Sequence, residues 1–284
     1  CNCAVLYIEK HNWTEVPSSV KEMMSLRKMT IRNGPLKSLF GSFTDTYESL
    51  SYLDVRHNHL EELPSTLPNM KHLGVILAVN NRLLRLPDNL WECPSLFRLH
   101  LANNNIREIP ISFHVAMQLR ELYLSNNTVE KIPPQIGLSA IRAIELDGNN
   151  IRFVPESLGN LKTLENLRLS NNRHISKIPA ELGRLERLIE FDVRNNSVEV
   201  LPHELGNLNS LKRLFLYGNP LCNASDWRKT VPTNIHNSVS AESGAGCKRQ
   251  CSPYCVDYWV SQYTRCIPAC NSEACKFQNG LCLE

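Results

Sequence analysis

The eleven cysteines are the residues of this chain best suited to chemistry, and they are placed very unevenly. Two open the chain, two stand alone at Cys93 and Cys222, and the other seven lie between Cys247 and Cys282. Such a cluster can hold zinc in a reducing cell interior or form disulfides in an oxidising compartment. The C-x2-C spacing typical of zinc sites is absent and no histidine follows His236, so the pattern favours disulfides.

Catalytic chemistry has no comparable signal. The nine histidines are scattered, and the chain lacks the G-x-S-x-G, H-E-x-x-H and glycine-rich phosphate-binding motifs. The acidic residues Asp54, Glu145 and Asp192 recur in separate copies of a repeated motif, which places them too far apart for paired acid–base catalysis. We therefore predict that the protein is not an enzyme and has no resident cofactor.

The repeated motif organises more than two thirds of the chain. One copy, residues 96–110, reads L-x-x-L-x-L-x-x-N-x-I-x-x-I-P, and copies recur every 22 to 24 residues. Position one of each copy is apolar: Leu26, Leu50, Leu73, Leu96, Leu119, Ile141, Leu164, Leu188 and Leu211. Counting back one period from Leu26 places a further turn at Cys3. The spacing therefore predicts ten stacked turns.

Each position of the motif has a structural role. Alternating apolar residues at positions four and six, such as Leu99 and Leu101, predict a short strand with one face in the core. The asparagine at position nine, such as Asn104, can bond backbone groups that would cost about 1–3 kcal/mol each if buried unpaired. The closing proline ends the strand and allows a short helical segment to begin, as in residues 155–167. Ten strands about 4.8 Å apart would form an inner sheet roughly 43 Å long.

Two copies depart from the motif. The second copy has Asn33 one position early and Phe40 in place of the proline. The copy around Asn172 carries one extra residue before Ile175. We predict a local bulge at the edge of the sheet in each copy, which is either a binding feature or tolerated variation.

Composition argues against several classes of partner. The net charge is +3, with 31 basic and 28 acidic residues interspersed, so there is no basic patch of the kind that binds nucleic acid or anionic membranes. The longest apolar run, residues 73–79, is shorter than the roughly 18 residues that cross a bilayer. The chain opens at Cys1 without a basic and apolar leader, from which we expect a removed signal peptide or an excised fragment. We expect no nucleic-acid partner and no membrane contact from this segment.

The motif resembles the leucine-rich-repeat family, in its 23-residue form with L-x-x-L-P endings, over residues 3–222. The resemblance implies an α/β fold, namely a right-handed leucine-rich-repeat solenoid shaped like a horseshoe, with about ten turns and a parallel inner sheet. Residues 1–25 would form an N-terminal cap or first repeat-like turn, and residues 26–222 the solenoid. Cys1-Asn2-Cys3 resembles part of the N-terminal cap of such arrays.

The chain beyond residue 222 divides into two parts. Residues 223–246 lose the period and become polar, which predicts a linker. The cysteine spacing of residues 247–284 resembles that of a Notch-type cysteine-rich repeat, a small disulfide-rich extracellular module. The six cysteines from Cys251 onward allow fifteen connectivities, and the resemblance implies the pairs Cys251 with Cys275, Cys255 with Cys270, and Cys266 with Cys282.

The resemblances also bear on calcium binding and on the cysteines outside the six of the module. Notch-type modules usually bind calcium through acidic residues, but Gln278 and Leu281 stand at those places, so we expect no calcium. Residues 217–227 resemble the end of extracellular repeat arrays, where N-P-L-C starts a disulfide-bonded cap over the last turn. We predict a bond from Cys222 to Cys247, which would close a loop of about 25 residues and contribute about 3–4 kcal/mol. We predict that Cys93 is a small, buried hydrophobic residue rather than a reactive thiol.

Glycosylation signals are present but not decisive. Asn-x-Ser/Thr occurs at Asn12, Asn126, Asn195 and Asn223, which is about the number expected by chance in this composition. In a secreted protein, Asn12 and Asn223 are the plausible glycan carriers, because the other two lie beside the predicted buried asparagines.

The predicted binding surface is the concave face of the sheet, where positions three, five, seven and eight should point away from the core. Tyrosine and arginine are the residue types that anchor interfaces. We predict ligand contacts there, strongest near the C-terminal end, from Arg98, His100, Tyr123, Arg168, Arg194, Arg213, Phe215 and Tyr217.

These observations predict a non-catalytic extracellular recognition or adhesion module that binds a protein or peptide, as part of a cell-surface receptor. The alternative is an intracellular signalling scaffold of the Ras or cell-polarity kind, because the 23-residue L-P form of the motif resembles those proteins as well.

Overall fold

The computed structural model describes residues 3–39, 47–116, 118–223, 231–233 and 235. These residues contain ten strands that form one open parallel sheet in chain order. The strands are β1 Val5–Glu9, β2 Lys28–Arg32, β3 Tyr52–Asp54, β4 Val75–Leu77, β5 Arg98–His100, β6 Glu121–Tyr123, β7 Ala143–Glu145, β8 Asn166–Arg168, β9 Glu190–Asp192 and β10 Arg213–Phe215. The predicted ten-turn horseshoe with a parallel inner sheet is confirmed.

The strands pair in one constant register. Position five of each repeat faces position five of the next, as in His100 beside Tyr123 on the neighbouring strand. Positions four and six, such as Leu99 and Leu101, are completely buried. One continuous apolar core runs from Val16 to Ile235 beneath the sheet. No repeat encloses its own apolar side chains, so each turn depends on its neighbours for burial.

The convex side consists mainly of short 3-10 helices. They are Leu67–Asn69, Leu90–Glu92, Ile111–Val115, Pro134–Leu138, Glu156–Asn160, Ala180–Arg184, His203–Asn207 and Pro220–Asn223. A single turn of α-helix, Ser18–Lys21, follows β1. From the fifth repeat onward the motif proline caps the helix, as Pro155 does, which confirms its predicted role. Gly159 is required by close packing, since a Cβ there would lie 2.2 Å from the carbonyl oxygen of Glu181.

The asparagines at position nine form a buried ladder. In Asn104 the side-chain nitrogen donates to the carbonyls of Leu101 and Ala78, each at 2.9 Å. Its side-chain oxygen accepts the backbone N–H of Leu83 at 3.0 Å. The same pattern holds for Asn81, Asn127 and Asn149. Each amide therefore joins two consecutive turns, as the sequence predicts.

Position eight has a role that the sequence pattern did not reveal. All ten copies have positive φ: Lys10, Asn33, His57, Asn80, Asn103, Asn126, Gly148, Asn171, Asn195 and Gly218. Asparagine and glycine tolerate this left-handed conformation best. The side-chain nitrogen of Asn126 also donates to Asn103 Oδ1 at 2.9 Å. Position eight is thus the residue that turns the chain out of the strand.

The predicted bulge in the second repeat is wrong. Strands β2 and β3 pair in the ordinary register, and Asn33 takes the same left-handed conformation as the other residues at position eight. The true departure is Gly34 at position nine, where a Cβ would lie 2.3 Å from the ring of His11. The His11 ring occupies this space, and its Nδ1 accepts the backbone N–H of Trp13 at 3.1 Å within its own turn.

The second predicted bulge is also wrong. Strands β8 and β9 keep the common register, and the extra residue forms a turn after the sheet, closed by the backbone N–H of Ile175 donating to Asn172 at 2.9 Å. The ladder adapts locally, because the N–H of Asn172 itself donates to Asn196 Oδ1 at 2.9 Å. The insertion therefore leaves the inner sheet unchanged.

The cysteines within the described residues fit their predicted roles in part. Cys93 is a free thiol, 5% exposed, and burial raises its pKa to about 12, so it is an unreactive core residue. Cys222 is disulfide-bonded, and its predicted partner Cys247 lies outside the described residues. The predicted cysteine-rich module at residues 247–284 lies outside them as well. No helix of the described part is long and apolar enough to cross a membrane.

The ladder yields a stability prediction. Asn104→Ala removes two donors and one acceptor, so we expect the free energy of unfolding in urea to fall by about 2 kcal/mol or more. Asn105→Ala is the matched control, because that neighbouring side chain is exposed. Equal stability of the two variants would contradict the assigned role of the ladder.

Candidate functional site

The concave face carries a regular grid of side chains. The side chains at motif positions three and five, which are the first and last residues of most strands, point away from the apolar core. The side chain at motif position seven, just after the strand, lies on the same face. All eight residues predicted to bind a ligand lie on this grid. The structure separates them into a central cluster on β5 and β6 (Arg98, His100 and Tyr123) and a C-terminal cluster on β8 to β10 (Arg168, Arg194, Arg213, Phe215 and Tyr217).

The central cluster is organised around Glu121. Arg98 donates from Nε to Glu121 Oε2 at 2.5 Å and from Nη2 to Oε1 at 3.0 Å. The Tyr123 hydroxyl donates to the same carboxylate at 2.9 Å. The ring of His100 packs edge-on against Tyr123, with 5.1 Å between centroids. These contacts fix the side chains before any ligand arrives.

The protonation states of this cluster follow from its contacts. Hydrogen bonding to Arg98 lowers the pKa of Glu121, so the carboxylate stays ionised. Burial raises the pKa of Tyr123 to about 12, so the phenol keeps its proton. Burial lowers the pKa of His100, and the charges of Arg56 and Arg98 act in the same direction, so the ring is neutral at pH 7.

The C-terminal cluster contains a chain of alternating charges across four strands. Arg168 donates from Nε to Asp147 Oδ2 at 3.0 Å, and its Nη1 lies 3.9 Å from Glu190 Oε1. Glu190 Oε2 in turn accepts Arg213 at 2.7 Å. Burial opposes the charge of Arg168, but nearby carboxylates, led by Asp147, raise its pKa overall. Burial raises the pKa of Asp147.

A second pair lies beside this chain. Arg194 donates to both carboxylate oxygens of Asp192, from Nη2 to Oδ2 at 2.5 Å and from Nε to Oδ1 at 2.9 Å. The guanidinium carbon of Arg194 also lies 4.8 Å from the ring centroid of Phe215. This arrangement presents a cation and an aromatic ring together at one place on the concave face.

The acidic residues at position five are less available than the sequence suggests. Asp54 and Asp192, expected to point onto the concave face, are 2% and 0% exposed. In each case the side chain of the arginine two residues later covers the carboxylate. Arg56, for example, donates from Nη2 to Asp54 Oδ2 at 2.7 Å. The pairing offsets the cost of burying a charge, and it leaves the arginine as the outward group.

The acidic partners of the arginines were missed as site residues. Glu121, Asp147 and Glu190 each fix one or more of the predicted arginines. Their signal was present in the repeat, because Arg98 with Glu121 and Glu190 with Arg213 are 23 residues apart and become directly paired positions of adjacent strands. A search for opposite charges one period apart would have found Glu121 and Glu190, but not Asp147, which is 21 residues from Arg168.

The described residues offer no centre for metal binding, since no three His, Cys, Asp or Glu side chains in that part are grouped as a metal ion requires. The concave face instead presents aromatic rings and ionic groups held in fixed positions. Its chemistry is suited to non-covalent contacts with a peptide or protein.

The sequons differ in their structural surroundings. Asn12 is exposed and makes no hydrogen bond with another described residue. The side-chain nitrogens of Asn126 and Asn195, to which a glycan would attach, instead donate at 2.9 Å to Asn103 and Asn171. The side chain of Asn223 lies outside the described ones. Glycosylation at Asn12 and Asn223 stays a prediction.

The pKa of His100 predicts a pH effect on stability. Its folded-state pKa lies below the ordinary 6.5, so the unfolded chain binds more protons as the pH falls below that value. The free energy of unfolding should therefore fall between pH 7 and pH 5, by at most about 1.4 kcal/mol per pH unit from this group. In the His100→Gln variant, the part of this decrease in the free energy of unfolding that comes from His100 should disappear. An identical pH dependence of the two proteins would contradict the assignment.

Comparison with family models locates the repeats independently. Residues 118–173 and 162–221 match a model described as leucine rich repeat, and residues 49–70 match a second model with the same description. No curated protein matches the sequence.

Solved structures show the same architecture. A leucine-rich-repeat protein of Leptospira interrogans is 21% identical, with a TM-score of 0.50 over 80% of this chain and 74% of that one. The ectodomain of the plant membrane receptor kinase GASSHO1/SCHENGEN3 from Arabidopsis thaliana, in complex with CASPARIAN STRIP INTEGRITY FACTOR 2, is 28% identical, with a TM-score of 0.61 over 72% of this chain and 28% of that one. The plant peptide hormone receptor RGFR1 in complex with RGF2 is 24% identical, with a TM-score of 0.59 over 72% and 38%.

The chain thus spans well under half of the two plant receptor chains. The likeness concerns the repeat array, within which the family models match residues 49–70 and 118–221. The described residues of this protein form a leucine-rich-repeat solenoid.

Proposed function

We propose that this protein is a non-catalytic extracellular recognition module that binds a peptide or protein on the concave face of its repeat array, as part of a cell-surface receptor. The observation that carries the proposal is the set of arginine and aromatic side chains held in place on β5 to β10 by carboxylates of neighbouring strands. Side chains already fixed in one geometry lose little conformational entropy on binding.

The similar structures support the class of ligand. RGFR1 is a peptide hormone receptor with RGF2 bound, and GASSHO1/SCHENGEN3 carries CASPARIAN STRIP INTEGRITY FACTOR 2. The present chain shares the repeat architecture over 72% of its length with both. A peptide or small protein is therefore the class of partner that we infer for it.

The cysteines support the extracellular location. Cys222 is disulfide-bonded, and disulfides persist mainly in oxidising compartments. The seven cysteines from Cys247 to Cys282 fit a Notch-type module stapled in the same way. The intracellular scaffold that the repeat type also resembles would instead keep these thiols reduced.

Binding to the concave face can be tested with a phage-displayed library of random 12-residue peptides, selected on the full chain secreted from a eukaryotic host. Selected peptides should lose at least about tenfold in affinity on Tyr123→Ala or Phe215→Ala, since aromatic anchors often contribute more than 1.4 kcal/mol. Phe153→Ala is the matched control, because that aromatic ring is 77% exposed outside the grid. Failure to select any peptide sensitive to the concave variants would contradict the proposal.

The compartment is tested by alkylating the unfolded full chain with and without reductant, followed by mass spectrometry. We expect Cys93 to be alkylated under both conditions, because it is a free thiol. Eight further cysteines should become reactive only after reduction, namely Cys222, Cys247, Cys251, Cys255, Cys266, Cys270, Cys275 and Cys282. Alkylation of all eleven cysteines without reductant would favour the intracellular scaffold.

A further inference from the structure

One outward carboxylate of the described sheet lacks a direct ion pair. Six carboxylates at its outward positions have an arginine within ion-pair distance: Glu9, Asp54, Glu121, Asp147, Glu190 and Asp192. Glu145, at position five of β7, forms no ion pair or hydrogen bond with a described side chain. It is the outward carboxylate of the described sheet that is left available for a ligand.

The neighbouring strands explain why Glu145 is unsatisfied. Arg168 is its direct register partner, but the Nε of that arginine is committed to Asp147 and its Nη1 faces Glu190. On the other side, the Tyr123 hydroxyl donates to Glu121. Burial raises the pKa of Glu145, and the charges of Asp147, Glu190 and Glu121 oppose the partial compensation by Arg168. A cation from outside the chain would relieve this repulsion.

The opposite charge is available at the other end of the sheet. Lys28, at position three of β2, is exposed and forms no ion pair with a described carboxylate. Its ammonium lies 4.9 Å from the ring centroid of Tyr52, which holds the side chain over β3. An acidic group of a ligand could form an ion pair with the Lys28 ammonium without breaking one within the chain.

An apolar strip lies between these two charges. In the fourth repeat all three outward positions are apolar, namely Val75, Leu77 and Val79. Among the described strands no other repeat has this composition. Leu77 and Val79 are half-buried, and the neighbouring Ala102 extends the strip onto the fifth repeat. An apolar side chain of a ligand could bury surface here without displacing an ion pair.

The distances between the strands that carry Lys28, Leu77 and Glu145 predict the spacing of the matching residues in an extended peptide. With strands about 4.8 Å apart, β2 to β4 spans roughly 10 Å and β4 to β7 roughly 14 Å. An extended peptide advances about 3.4 Å per residue, so these spans correspond to about three and about four residues. Lys28 lies two residues earlier in its strand than Leu77 and Glu145 do in theirs, and its long, flexible side chain can cover that offset.

We propose that the concave face binds an extended peptide lying across β2 to β7, with the pattern acidic-x-x-apolar-x-x-x-basic, read in either chain direction. The acidic residue pairs with Lys28, the apolar residue lies on Leu77 and Val79, and the basic residue pairs with Glu145. The inference rests on the proposed function, because it specifies the ligand of the same face. Charge complementarity of this kind determines specificity and register.

The test uses the peptides selected from the random 12-residue library on the full chain. We expect the pattern to be enriched, and Glu145→Gln and Leu77→Ser each to weaken the selected peptides at least about tenfold. Glu130→Gln, at an exposed position outside the grid, is the matched control and should leave affinity unchanged. Glu145→Lys should bind a peptide whose basic residue is replaced by Glu better than the original peptide, a reversal that a merely misfolded variant would not show.

The outcomes separate the two proposals. Peptides that depend on Tyr123 or Phe215 but lack the pattern, or that bind equally to wild type and Glu145→Gln, would overturn this inference and leave concave-face recognition intact. Absence of any peptide weakened by Tyr123→Ala, Phe215→Ala, Glu145→Gln or Leu77→Ser would overturn both. Enrichment of the pattern together with the charge reversal at Glu145 would establish the inferred register.

Discussion

The structure depends on the satisfaction of backbone groups where each strand turns into the next segment. At that corner carbonyls and N–H groups leave the sheet and lie in the core, where an unpaired group costs about 1–3 kcal/mol. The amide of Asn104 bonds three such groups, two of which belong to the preceding turn. Because the amide reaches one turn back and no further, it fixes the spacing between turns and so helps to align strands β2 to β10 in a single register.

That alignment determines what the concave face can carry. Since residues one period apart become directly paired neighbours, opposite charges such as Arg98 and Glu121 meet without any long-range folding. The face is consequently a preorganised set of ion pairs and rings rather than an assembly of mobile side chains. The exceptions, Glu145 and Lys28, stand out because nearly every other charge has a partner, and they are where a ligand gains most from binding.

The sequence predicted those features that depend on local periodicity. The ten turns, the buried asparagines and the placement of all eight candidate residues on the concave face follow from the 23-residue pattern and agree with the structure. The burial of Asp192 did not follow, because it depends on the conformation of Arg194 rather than on the period. The packing of the His11 ring against Gly34 was also not predictable, since it requires the absence of a side chain at Gly34 on the next turn.

The central claim is that recognition occurs on the concave sheet, in the space between Lys28 and Glu145. The most direct measurement is a crystal structure of the full chain with a selected peptide bound. The account predicts an extended peptide crossing β2 to β7, with the charged nitrogen of a basic side chain within about 4 Å of the Glu145 carboxylate. A peptide bound to the convex 3-10 helices, or to the chain beyond the solenoid, would contradict it.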